Sequence, residues 1–344
     1  MKQYVKSIDS LRILSILAVL VIHTTTRVLE AGKYDLAGFP LTIFLNQIAR
    51  FAVPLFFVIS GFVLELNSKE KIDYWNYLKR RFGRVIVPFI FWSLIYYFFV
   101  YTNNQDNILK VFLTGNASYQ LYFIPTLIIY YLVFPLLHKI YKVISNKWVL
   151  GGILVVQLFF LYRDYFIGQF RFSDPIRITI LSFFFFIIGM VASHYEDEIH
   201  QIVHKWKYIL VPGAILSGVY VFLEGFLGFI NHGDHLNFYS QWRPSVLVYT
   251  LLLAMVLFHL FEKNKLQFKL VEKISKLSFL VFFIHVIVLE ITWTLIGKTL
   301  FGIVNGNIFG KIILDLTFFG VVSGISFFIA FLLRKIPKLE RVTG

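Results

Sequence analysis

Ten apolar runs organise the chain, at residues 8–28, 42–66, 85–102, 120–138, 148–163, 178–194, 208–229, 243–261, 277–297 and 308–333. About 20 residues rising about 1.5 Å each cross the roughly 30 Å hydrocarbon core of a bilayer, and most of these runs reach that length. The fifth and sixth are the weakest. Hydrocarbon offers backbone N–H and C=O groups no partner, so each run must close its hydrogen bonds within a helix. The expected fold is therefore all-α, a polytopic membrane bundle of about ten transmembrane helices. Composition agrees: 58% of residues are hydrophobic, 40 are Phe, only 15% are charged, and the mean hydropathy of +0.73 is too high for a soluble domain of this length.

The net charge of +14 would suggest nucleic acid in a soluble protein. Here the basic residues stand between apolar runs, where they set orientation and meet anionic lipid headgroups, so membrane lipids are expected partners and nucleic acid is not. Taken over alternate loops, 22 of the 33 Lys and Arg fall with the two termini and 10 on the opposite side, leaving Arg12 within a run. The positive-inside bias thus predicts cytoplasmic termini, and an even number of spans agrees. The absence of cysteine excludes disulfides and thiolate chemistry. No small-residue cleavage site follows the first run, which is expected to remain as a helix. Neither repeats nor linkers are visible, predicting one domain over 1–344.

Arg12 and His23 lie on the first run. An ionisable group at membrane depth is costly unless it faces a protein interior or a wet cavity, which makes Arg12 and His23 functional candidates. Eleven residues separate them, about 16 Å of rise and close to three turns, so they share a face able to line one tunnel. Histidine titrates near neutrality and can take a proton from a hydroxyl or carry an acyl group. The plainer alternatives are a snorkelling Arg12 and a His23 that bonds a neighbouring helix. Asp9, three residues before Arg12, is placed either to hold the guanidinium or to serve as an N-cap or first-turn acid complementing the helix dipole.

Further along, Pro54 frees a backbone carbonyl within the second run, and Ser60-Gly61 permits close helix approach. Arg50 stands on the outer side of that run, where an anionic or sugar substrate would arrive. Lys79-Arg80-Arg81-Phe82-Gly83-Arg84 puts four cations at the predicted cytoplasmic mouth, suited to a phosphate ligand or to lipid headgroups. Glu224, His285 and Glu290 are further intramembrane ionisables. His285 and Glu290 lie about 140° apart round a helix and should face different neighbours, either being able to orient His23. Arg163, Arg171, Arg177 and Arg243 are expected mainly as interfacial anchors. His232, Asp234 and His235 fall close together, but no further ligand is placed by spacing and no metal site is expected.

Asp9-x-Leu11-Arg12 with His23 ten residues on, Pro54-Leu55-Phe56-Phe57-Val58-Ile59-Ser60-Gly61-Phe62, Arg80-Arg81-x-x-Arg84-x-x-x-Pro88, Leu121-Tyr122-Phe123-Ile124 and a ninth run bearing His285 together resemble the membrane acyltransferase-3 family. Ile22-His23-Thr24-Thr25-Thr26 looks most like its enterobacterial-common-antigen O-acetyltransferase branch. The resemblance implies an enzyme of the bacterial cytoplasmic membrane that moves an acyl group, usually acetyl, from cytoplasmic acetyl-CoA to a hydroxyl of a surface glycan or lipid-linked sugar. It implies an essential His23 with Arg12 as its paired arginine, and a basic donor motif of Arg80, Arg81 and Arg84; beside these, Asp9 is expected to act with Arg12, Ser60 on the donor side, and Arg50, Tyr122, His285 and Glu290 at the acceptor. Tyr122 departs from the Trp that many members carry there. The alternative from another class is a transporter or flippase with a polar path lined by the same residues.

Overall fold

The computed structural model describes residues 5–32, 40–68, 72–101, 107–232, 240–263, 268–304 and 307–343. Among them there is no strand. The helices are α1 (Lys6–Ala31), α2 (Pro40–Ile48), α3 (Ala52–Leu66), α4 (Tyr74–Ile95), α5 (Ile108–Thr114), α6 (Phe123–Lys139), α7 (Tyr141–Ile144), α8 (Lys147–Tyr162), α9 (Asp174–Ala192), α10 (Glu196–His232), α11 (Pro244–Lys263), α12 (Phe268–Thr292), α13 (Lys298–Val304), α14 (Ile308–Arg334) and α15 (Glu340–Thr343). Nine helical stretches among the described residues are long and apolar enough to cross a membrane, and α6 is a shorter apolar one. These ten correspond to the ten predicted runs.

Some boundaries differ from expectation. The basic stretch Lys79–Arg84 is not a loop: α4 begins at Tyr74 and carries it on its first turns. The reason is local, since the Asp73 side chain caps the helix by accepting from the Asn76 backbone N–H at 3.1 Å, and Lys and Arg are good helix formers. That cap holds the Asp73 carboxyl below the ordinary aspartate range. Likewise α10 starts at Glu196, well before the predicted run, with non-helical backbone at Trp206.

The helices group into two compact units. Among the described residues, one comprises Ser60–His194 and 331–343, and the other 5–59 and Tyr195–Ala330. In the first, α6 packs against α4 and α9, and α8 packs against α9. Tyr130 of α6 stacks on Phe186 of α9 at 4.3 Å and donates its hydroxyl to the Thr179 carbonyl at 2.9 Å. Glu65 at the end of α3 accepts from His138 at 2.9 Å and His194 at 3.2 Å, joining three chain segments through one buried carboxylate. In the second unit α1 is the hub, packing against α2, α11 and α12, while α10 packs along α11 and against α2.

Ser60-Gly61 marks a close helix contact, as its small residues predict. A Cβ on Gly61 would overlap the Phe186 carbonyl oxygen of α9, and backbone cannot swing aside as a side chain can. Gly83 on α4 has open space around it. Gly61→Ala should therefore destabilise the purified protein by about 1–3 kcal/mol through overpacking, while Gly83→Ala should be neutral or stabilise by up to about 1 kcal/mol through helix propensity. Thermal unfolding in detergent reads both; equal shifts in the two variants would contradict the contact.

Candidate functional site

The N-terminal end of α1 carries the first polar group of the second unit. The Arg12 guanidinium donates to the Asp9 carboxylate at 2.8 Å and to the Ser275 hydroxyl of α12 at 3.2 Å, and Ser275 donates to Asp9 at 2.6 Å. Asp9 does not cap the helix. No side chain caps its N-terminus, where Val5 is the N-cap residue.

Further along the same two helices, the rings of His23 and His285 meet with centroids 5.2 Å apart and planes tilted by 33°. His285 is fully buried, whereas His23 is half-buried. The Nδ1 of His285 lies 3.0 Å from the Val281 carbonyl oxygen. A carbonyl only accepts, so Nδ1 bears the proton and Nε2 presents its lone pair. That Nε2 is buried and has no hydrogen-bond partner among the described residues. One turn beyond His23, Arg27 pairs with Glu290 at 3.3 Å and stands over the Trp293 ring at 5.4 Å.

These three contacts form a ladder. Positions 12, 23 and 27 on α1 meet 275, 285 and 290 on α12, both series ascending with nearly equal steps. The two helices thus run parallel and in near register, with polar rungs along their seam. His285 and Glu290, expected to face different neighbours because of their angular separation, both reach α1; the long Arg27 and Glu290 side chains span the difference.

The predicted second run is one helical stretch, Leu41–Leu66, that tightens to a 3-10 turn at Arg50. Between α2 and α3 the chain passes through a 3-10 turn at Ala49–Phe51. Proline lacks an N–H and clashes with the carbonyl four residues earlier, which for Pro54 is the carbonyl of Arg50. Pro54 sits in the first turn of α3, directly after the 3-10 turn. An irregular turn at membrane depth is tolerated where protein covers it, and Ala49, Arg50 and Phe51 are all buried.

An amide network ties this turn to α1. Asn46 donates to the Ile22 carbonyl at 3.3 Å and to the Thr25 and Thr26 hydroxyls at 3.0 Å each, the turn that adjoins His23. Its own Oδ1 accepts from Gln47 at 3.2 Å and from Arg50. Gln47 in turn accepts from Arg243 at 2.8 Å, and Arg243 pairs with Glu224 at 3.5 Å, which also accepts from Ser245. Gly225 leaves the room, since a Cβ there would overlap Gln47 and crowd Arg243. Arg50 lies within electrostatic reach of His23. Arg243 is fully buried in this network and is not the interfacial anchor that its position suggested; Glu224 supplies the charge that lets it be interior.

Asp9, Arg12, His23, Arg50, His285 and Glu290 thus belong to one unit, and Ser60, Arg80, Arg81, Arg84 and Tyr122 to the other. Ser60 is half-buried beside Gly61, and Tyr122 stands immediately before α6, where its carbonyl accepts from Thr126 at 3.0 Å. Arg80 and Arg84 are exposed on α4, and Arg81 is half-buried over the Tyr77 ring at 5.7 Å. Arg177, another expected anchor, forms an ion pair with buried Asp164 at 2.6 Å. Asp234 and His235 lie outside the described residues, as does the His232 side chain; among the described residues no group of three or more His, Cys, Asp or Glu could hold a metal. Asn46, Gln47 and Ser275 are functional candidates that residue-by-residue reading overlooks. An Asn-Gln pair inside an apolar run, three residues before an arginine, is the signal that points to them.

Comparison with known proteins gives this geometry a context. A family profile described as "Acyltransferase domain" matches residues 5–335. A Bacillus subtilis (strain 168) protein named "Putative membrane-bound acyltransferase YfiQ" is 24% identical over 320 residues, 85% of this chain and 83% of that one. A Staphylococcus aureus (strain MRSA252) protein named "Probable poly-beta-1,6-N-acetyl-D-glucosamine export protein" is 23% identical over 288 residues, 79% of each chain. The "Succinoglycan biosynthesis protein ExoH" of Rhizobium meliloti (strain 1021) is 31% identical over 78 residues, 22% of this chain and 21% of that one. No solved structure matches at the same significance. With nearly its whole length matched, the chain belongs to the acyltransferase-3 family of membrane proteins.

Proposed function

We propose that the protein is an integral membrane O-acyltransferase of the bacterial cytoplasmic membrane, moving acetyl from cytoplasmic acetyl-CoA to a hydroxyl of a surface glycan or lipid-linked sugar. The observation that carries this is the contact between His23 and His285 at membrane depth, with the second ring's tautomer fixed by a backbone carbonyl. His23 takes the proton of the acceptor hydroxyl as its oxygen attacks the thioester carbonyl. The carbon–oxygen bond forms, the carbon–sulfur bond breaks, and the CoA thiolate leaves and is protonated. In the covalent variant, His23 first receives the acetyl group and then yields it to the hydroxyl.

His285 holds the His23 ring in place and offers Nε2 as an acceptor beside it. Arg50, fixed by Asn46, contributes positive charge near the reacting carbonyl, where a developing oxyanion needs it. Arg12, held by Asp9 and Ser275, supports the donor further along the same helix. Arg80, Arg81 and Arg84 contact the CoA phosphates, and Ser60 belongs to the donor side. Tyr122 and Glu290 contact the acceptor. A glycan acceptor is supported by the polysaccharide-related names of two relatives, and the enterobacterial-common-antigen branch by the residues around His23.

The alternative is polysaccharide export, which the printed name of the Staphylococcus aureus relative favours. An exporter moves its substrate without consuming acetyl-CoA.

His23→Ala is expected to lower CoA release from acetyl-CoA by at least about 100-fold, in the range that general acid–base groups contribute, with membrane insertion unchanged. Wild-type CoA release in that variant would overturn the assignment. Replacing Arg80, Arg81 and Arg84 together by Gln should raise KM for acetyl-CoA by at least tenfold, leave kcat within about threefold, and weaken the salt dependence of KM. An unchanged KM would remove these residues from the donor site.

A further inference from the structure

The three rungs between α1 and α12 are not equally closed. At the Arg12 end, guanidinium, carboxylate and hydroxyl bond one another at 2.6–3.2 Å. At the other end Arg27 meets Glu290 at 3.3 Å and Glu30 at 3.5 Å, both longer than the roughly 2.7–2.9 Å of a close charge-assisted hydrogen bond. Among the described residues Glu290 makes this ion pair and no hydrogen bond. The side chains of Arg27 and Glu290 are 30% and 27% exposed, whereas His285 is fully buried.

The backbone around this rung is shaped to support it. Trp293, itself buried, lies against the Arg27 guanidinium at 5.4 Å and packs on Phe318 at 5.5 Å, which fixes the surface on which the cation rests. It opens a π-helical turn, Trp293–Gly297, and a Cβ on Gly297 would overlap its ring. Such turns are rare and are frequent at functional sites.

The distance to His23 is short. Arg27 stands four residues beyond His23 on α1, and Glu290 five beyond His285 on α12, which at about 1.5 Å per residue is roughly 6–8 Å along the two helices. A hexose spans that interval: with one hydroxyl at His23, hydroxyls on the far side of its ring lie level with the rung. Side by side, Arg27 offers N–H donors and Glu290 a carboxylate acceptor. Two neighbouring hydroxyls match that pair, one donating to Glu290 and the other accepting from Arg27. A phosphate matches it poorly, because two carboxylates, Glu30 and Glu290, flank the one guanidinium.

We infer that Arg27 and Glu290 form a sugar subsite of the acceptor site, binding a pair of neighbouring hydroxyls while another hydroxyl of the same ring is presented to His23. This rests on the acyltransferase function proposed above. It makes the pair a specificity determinant: a sugar gains contacts that a simple alcohol, too short to extend one turn beyond His23, does not.

The test uses the full chain in proteoliposomes with radiolabelled acetyl-CoA and either N-acetylglucosamine or ethanol as acceptor. Glu290→Gln removes the charged acceptor at nearly constant volume. Arg27→Lys keeps the ion pair and gives up the planar fork. Each variant should lower the ratio of kcat/KM with the sugar to kcat/KM with ethanol, Glu290→Gln at least tenfold and Arg27→Lys at least threefold. A rung that served only to hold the helices in register would lower both acceptors alike, so an unchanged ratio in either variant would overturn the subsite. Wild-type vesicles that acetylate ethanol and not the sugar would overturn the subsite alone. Vesicles that acetylate neither would overturn the acyltransferase function on which it rests.

Discussion

Hydrocarbon supplies no hydrogen bonds, so a polar side chain kept at membrane depth must find its partner within the protein, and a charged one or an imidazole finds it mainly on another helix. Along the seam of α1 and α12 that requirement is met three times, by Arg12 with Asp9 and Ser275, by His23 with His285, and by Arg27 with Glu290. The rungs fix the register of two parallel helices. A slip of one residue would rotate the rings by about 100° and break all three at once. Register and chemistry are therefore one constraint here, since the contacts that hold α12 against α1 also set the distance between the two imidazoles.

The helix with the 3-10 turn beside them follows the same logic. Pro54 removes a helical hydrogen bond, and the 3-10 turn that results carries Arg50 into the interior instead of out to lipid. Two amides, Asn46 and Gln47, then connect Arg50 and Arg243 to the turn of α1 that bears His23. Neutral amides suit this task because each offers both donor and acceptor, which lets Asn46 and Gln47 bond Arg50 and Arg243 in the interior while Glu224 pairs with Arg243. A preorganised positive field of this kind costs stability in the resting protein and is useful where negative charge develops during reaction.

Much of the architecture is legible from the sequence because length and hydropathy act on whole segments: a run such as 308–333 has no alternative to a spanning helix. The ends were harder. Asp73 begins α4 eleven residues before the apolar part, since a capping side chain and charged helix formers extend a helix beyond what hydropathy shows. At the site, Arg12 and His23 stand out because each is costly where it lies. Ser275 and Asn46 do not, because a small polar residue in a membrane helix can bond its own preceding turn, and only the neighbouring helix reveals which one carries a long-range contact. Arg243 reads as an interfacial anchor for a related reason. At a helix start, anchoring and interior pairing look identical until Gln47 and Glu224, distant in sequence, are brought beside it.

The central claim is that the protein transfers an acyl group using His23, and the sidedness of the reaction tests it most directly. Proteoliposomes containing the full chain in one known orientation would receive radiolabelled acetyl-CoA only on the side of the chain termini, with a hydroxyl acceptor enclosed on the other side. Label is predicted on the enclosed acceptor, with stoichiometric CoA outside, in wild-type vesicles and not in those carrying His23→Ala. Passage of unlabelled acceptor across the membrane, with acetyl-CoA left intact, would contradict it.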